Sequence, residues 1–154
     1  MPRSQFAVYS LLLCLLPWSA KAEDIAAAYG YTLGMPISEV QVLSTKPADY
    51  GNTLYVVKPA TGSDMEEVLL GTGKDGRQVT RIIGRSRSMP ATSCFSILSK
   101  TVDRLRQRYP NSGYYALDDS DMLYQEDRNI LLSCQEEGEQ YRMVIEYRDD
   151  SLQK

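Results

Sequence analysis

Ser93–Tyr109 reads SCFSILSKTVDRLRQRY, and its apolar residues fall on one helical stripe. Cys94, Ile97, Leu98, Thr101, Val102, Leu105 and Tyr109 recur at three- and four-residue spacing, while Lys100, Asp103, Arg104, Arg106 and Arg108 lie elsewhere. This predicts an amphipathic helix that buries one face, with Thr92 or Ser93 as its N-cap. The arginines at 104, 106 and 108 complement the negative end of the helix dipole.

Strand patterns lie on both sides of this helix. Downstream, NILLSC (Asn129–Cys134) places Ile130, Leu132 and Cys134 on one face. EQYRMVIEYR (Glu139–Arg148) alternates Tyr141, Met143, Ile145 and Tyr147 with Arg142, Val144, Glu146 and Arg148, as in a strand with one wet side. Gly113 to Glu126 reads as two strand pieces around Asp118-Asp119-Ser120-Asp121. Upstream, NTLYVVK (Asn52–Lys58) is a strand stopped by Pro59. Two further β-prone runs between Met65 and Arg85 enclose the turn Gly73-Lys74-Asp75-Gly76, the clearest hairpin of the chain. Nearer the start, EDIAAAY (Glu23–Tyr29) suits a helical turn ended by Gly30. Tyr31–Leu43 suits a helix of two to three turns, and a polar connection with Pro47 and Gly51 follows.

The expected fold is therefore α+β, an antiparallel sheet packed by one long central helix, Ser93–Tyr109. The element order is roughly α-β-β-β-α-β-β-β, with a weak tandem repeat.

Met1–Ala22 has the makeup of a cleaved secretory signal peptide, with Arg3, an apolar run from Phe6 to Leu16 and the ending Ala20-Lys21-Ala22. Its apolar run of about eleven residues is short of the roughly 20 that cross a bilayer, so no integral membrane segment is expected after cleavage. Cys14 follows Leu11-Leu12-Leu13 in the middle of that run, unlike a lipidation site. Residues 23–154 are expected to form a single α+β domain, exported to the periplasm or secreted. Only Cys94 and Cys134 would remain there, and an oxidising compartment predicts a disulfide between them. The leader carries Arg3 and Lys21 but no acid, so its removal leaves 15 basic against 20 acidic residues. That balance argues against nucleic acid or anionic lipid as a partner.

The chain has no histidine, which removes Ser-His and Cys-His nucleophile pairs and the commonest transition-metal ligand. GTGKDG (Gly71–Gly76) lacks the Gly-x4-Gly-Lys-Ser/Thr spacing of a phosphate loop. The Asp118–Asp121 run lacks the calcium-loop spacing, so neither cofactor nor metal is expected. Asp118, Asp119, Asp121, Glu126 and Asp127 could supply the two carboxylates of a small hydrolase, and a Ser-Lys dyad stays open. The bland reading of these acids is a solvated loop.

Ten of the 11 tyrosines follow the leader, and strand packing accounts for most of them. Tyr114 and Tyr115 are adjacent and so point to opposite faces of an extended segment. Beside the acidic run, this makes Tyr114, Tyr115, Asp118, Asp119, Asp121 and Tyr124 the expected partner-binding residues.

Gly34-Met35-x-x-x-Glu39-Val40, ahead of a hairpin, resembles the opening of small outer-membrane assembly lipoproteins. The doubled arrangement resembles the β-lactamase-inhibitor-protein fold. This resemblance implies an exported, non-enzymatic module that binds another protein through its sheet. The leading expectation is an inhibitor or immunity-type protein facing a partner with a basic surface. A cell-envelope structural or assembly adaptor is the alternative, and a carboxylate-dependent hydrolase comes third.

Overall fold

The computed structural model describes residues 23–48 and 52–153. The expected leader, and Gly51 of the expected connection, lie outside the described residues. Ten strands form: β1 Ala27–Ala28, β2 Tyr31–Thr32, β3 Val42–Pro47, β4 Thr53–Val57, β5 Glu67–Thr72, β6 Val79–Arg85, β7 Gly113–Ala116, β8 Ser120–Gln125, β9 Arg128–Glu137 and β10 Gln140–Asp149. A single α-helix among the described residues, α1 (Ala91–Arg108), lies between β6 and β7 in the chain. β1 and β2 pair alone. The others form one eight-stranded antiparallel sheet in the order β3-β4-β5-β6-β10-β9-β8-β7. The chain is mixed α+β and mostly β.

Several expectations change. The order is two four-strand meanders, β3–β6 and β7–β10, rather than two runs of α-β-β-β. Tyr31–Leu43 holds only the 3-10 turn Ile37–Glu39 in place of a helix. Glu23–Tyr29 is not helical either, because Tyr29 and Gly30 take positive φ values of 54° and 92° and close a two-residue hairpin turn. A glycine accepts this readily and a tyrosine does not. The Tyr29 ring compensates by packing edge-on to Tyr147, with centroids 6.0 Å apart, over Gly84. A Cβ on Gly84 would lie 2.5 Å from that ring, so the glycine is what lets it down onto β6.

Side chains sort by strand pairing into rows across the sheet. On the helix side one row runs Tyr55, Leu70, Ile82, Tyr147, Ile130, Leu123 and Tyr114. Its middle members join the main core with Cys94, Leu98, Val102 and Leu105 of α1. The helix lies across β9 and β10 as its stripe requires. Cys94 bonds Cys134 there, with Cα atoms 6.1 Å apart. α1 begins at Ala91 with Pro90 before it, so Thr92 and Ser93 sit inside the first turn and no side chain caps the helix. The buried Thr101 hydroxyl donates to the Ile97 carbonyl, which removes the cost of an unpaired polar group. Ile97 itself is 41% exposed and is not part of the buried stripe.

The opposite row runs Val56, Leu69, Ile83, Glu146, Leu131, Met122 and Tyr115. This far side is not simply wet, contrary to the alternation read in β10. Leu69, Ile83 and Val144 form a second buried cluster. Glu146 is buried beside them, where it accepts from Arg81 Nε and from Arg148 Nε and Nη2. Burial pushes its carboxyl up, but the two guanidiniums outweigh this and hold it below the ordinary value. The aliphatic stems of such arginines shield apolar surface while their heads reach water.

Candidate docking surface at the last hairpin

The β7–β8 hairpin carries the expected contact residues, and its alternation divides them. Gly113, Tyr115 and Tyr124 face the far side, since Tyr124 pairs with Gly113 and its ring covers that glycine. A Cβ at position 113 would sit 2.1 Å from the Tyr124 ring. With that space open, Tyr124 and Tyr115 stack, with centroids 5.1 Å apart and planes 13° from parallel. Such offset pairs are worth about 0.5–1.5 kcal/mol beyond area burial when protected from water. This pair is not protected: Tyr115 is 54% exposed and Tyr124 38%. Leu117, at the start of the turn, adds another apolar side chain at 49%. The far-side row is thus buried at Leu69 and Ile83, half-buried at Leu131 and Met122, and open at Tyr115.

Tyr114 and Asp121 belong to the other side. Tyr114 packs against the main core, Arg106 sits 4.8 Å above its ring, and its hydroxyl donates to Asp121. That hydrogen bond, with burial and the Asp121 charge behind it, raises the Tyr114 phenol above its ordinary value. Both residues are therefore engaged within the fold rather than presented with Tyr115 and Tyr124. Asp118 and Asp119 stand exposed at the tip of the turn, which the Leu117 N–H closes on the Ser120 carbonyl at 2.8 Å. Neither takes part in an ion pair among the described residues.

Glu126 and Asp127 form the β8–β9 turn, where Glu126 has a positive φ of 53°. They border a shallow depression of about 300 Å³ with Asp24 and Asp149. Asp149 is committed, accepting from Arg128 Nε at 2.8 Å and from the Ser151 N–H and hydroxyl. No group of three or more His, Cys, Asp or Glu side chains among the described residues is placed to hold a metal ion.

Gly113 and Leu117 were not singled out by sequence. An apolar residue directly before an acidic turn was the available signal for Leu117. For Gly113 the only signal was a glycine opening a strand.

Comparison of the chain with protein-family models, with curated proteins and with solved structures finds no match.

Proposed function

We propose that this chain is an exported, non-enzymatic protein-binding module, of inhibitor or immunity type, that docks a basic-surfaced partner through the β7–β8 hairpin. One observation carries the reading: Tyr115 on the edge strand β7 stacks in the open on Tyr124 of β8, and Tyr115 ends a far-side row that is buried at Leu69 and Ile83. Rigid tyrosines lose little entropy on contact and are enriched where proteins meet. Asp118 and Asp119, in no ion pair among the described residues, supply the charge that a basic rim would neutralise and that speeds encounter. The disulfide supports an oxidising location, and no helix among the described residues is long and apolar enough to cross a membrane. A hydrolase fits less well, because Asp118 and Asp119 stand on a turn tip rather than facing each other across a cleft.

The test is capture from envelope and culture extracts on immobilised protein at low and high salt, with Tyr115→Ser/Tyr124→Ser as the paired bait. A soluble basic protein held by the parent at low salt and lost by the variant supports the reading. An identical set on both baits refutes it.

A second reading, an envelope assembly adaptor, is favoured by the two meanders, each preceded by a helical element, the Ile37–Glu39 turn and α1. Co-purification with outer-membrane components, unaffected by salt, would select it over the first.

A further inference from the structure

Away from the hairpin, the exposed flank of α1 forms one wall of a cleft of about 920 Å³. That lies within the range of about 300–1,000 Å³ usual for small-molecule sites. The segment Ser63–Glu66 ahead of β5 lines it too, with Ser86, Arg87 and Met89 from the connection after β6. Met65, Met89, Met143 and Ile97 give the cleft its apolar surface. Methionine is flexible and polarisable and adapts to a chain-like ligand. The lining contains no aromatic residue, so it offers a nucleobase or sugar ring no face to stack on.

The charges are unequal. Arg87, Lys100 and Arg104 line the cleft and take part in no ion pair among the described residues. Against them stand Asp64 and Glu66, and Glu66 is already paired with Arg142 Nη1 at 3.3 Å. Positive charge is therefore left over. Lys100 and Arg104 are one helical turn apart, on the same stripe as Ile97, so two cations and an apolar side chain face the cleft together.

We propose that this cleft is a binding site for a free acyl-chain carboxylate, with the chain on the methionines and Ile97 and the head held by Lys100 and Arg104. It stands independently of the docking surface, which lies at the far edge of the sheet.

The experiment titrates dodecanoate, below its micellar concentration, into oxidised protein by calorimetry. Dodecyltrimethylammonium, dodecanol and vesicles of anionic phospholipid serve as comparisons. One-to-one binding of dodecanoate, weaker binding of the alcohol and none of the cation is the expected result. Lys100→Gln/Arg104→Gln, both at exposed positions, should weaken dodecanoate by about tenfold or more with the melting temperature retained. Ile97→Glu should weaken binding by setting a carboxylate beside the chain and against Lys100 and Arg104, whereas Tyr115→Ser/Tyr124→Ser should leave it unchanged. Absence of dodecanoate binding overturns the proposal, as does equal affinity for the cation. So does binding to vesicles alone, or an unchanged affinity in the folded Lys100→Gln/Arg104→Gln protein.

Discussion

Among the described residues the sheet has two free edges, and they are protected differently. At β3 the outer strand bulges between Val42 and Ser44, sends Lys46 across to Glu67, and ends in Pro47. A bulge, a lysine and a proline are the usual means of discouraging another strand from pairing. All six β3 residues are exposed. At β7 the strand has four residues, GYYA, with none of these devices, and its exposed Tyr115 stacks on Tyr124 of the neighbouring β8. One edge is built against contact and the other presents an aromatic surface, which is why the docking proposal rests on β7.

Both edges hang on one core, so the largest effect should erase the difference between them. Leu98 is buried under α1, and Leu98→Asp would place an unpaired charge there at a cost of about 4 kcal/mol or more. Loss of the cooperative melting transition is expected. A near-native melt would mean that α1 does not pack as described.

Reducing Cys94–Cys134 should separate the two halves. The bond closes a loop of 40 residues, for which the chain-entropy model gives roughly 4 kcal/mol, with smaller values common in practice. It ties α1 to β9, so hydrogen exchange in the reduced protein should rise first in α1 and β7–β9 and last in β3–β5. A uniform rise would show that the bond does not favour one edge.

Glu146 lies between the edges on the far side. Its folded pKa is below the ordinary 4.5, so the stability it contributes is fully present above about pH 4.5 and is lost as pH falls through the folded value. Glu146→Gln should cost roughly 1–3 kcal/mol at pH 7 and flatten the acid limb of the stability curve. Denaturant melts at pH 7 and 3.5 measure this, and an unchanged acid slope would contradict it. Asp149, also held below its ordinary value by Ser151 and Arg128 against burial, leaves a residual slope of the same sign.

The smallest effect on stability should come at β7 itself. Gly113→Ala needs the Tyr124 ring to move, and the ring can swing into water, so a loss of about 1 kcal/mol is expected. The stacking signal in near-ultraviolet circular dichroism should change with it. An unaltered spectrum would mean the pair does not depend on the glycine.

Much of this was legible in the residues. Cys94 and Cys134 each sat on the inward side of its own element, so two independent periodicities pointed to one bond. The 65–85 hairpin was marked at both ends by β-prone runs and at its centre by a glycine turn. β3 was not legible, because a fully exposed strand has no buried face and hence no alternation to read. The Tyr29–Gly30 turn was hidden because alanines favour helix locally, while the ring contacts with Tyr147 over Gly84 that hold it are distant in sequence. Ile97 lay on the helical stripe by spacing, yet the stripe was wider than the sheet could cover. In the candidate site, adjacency alone split Tyr114 from Tyr115. Which of the two faces α1 depends on the β8 register and the Tyr114–Asp121 hydrogen bond.

Cross-linking from the two edges distinguishes a docking edge at β7 from a protected one at β3. A photoreactive phenylalanine analogue is placed at position 115 in one protein and at 43, on β3 and 60% exposed, in another. Both are irradiated in the same extract. A discrete cross-linked species from position 115, suppressed by salt, and none from position 43 is the expected result. Equal cross-linking from both, or a discrete species from position 43 alone, would contradict it.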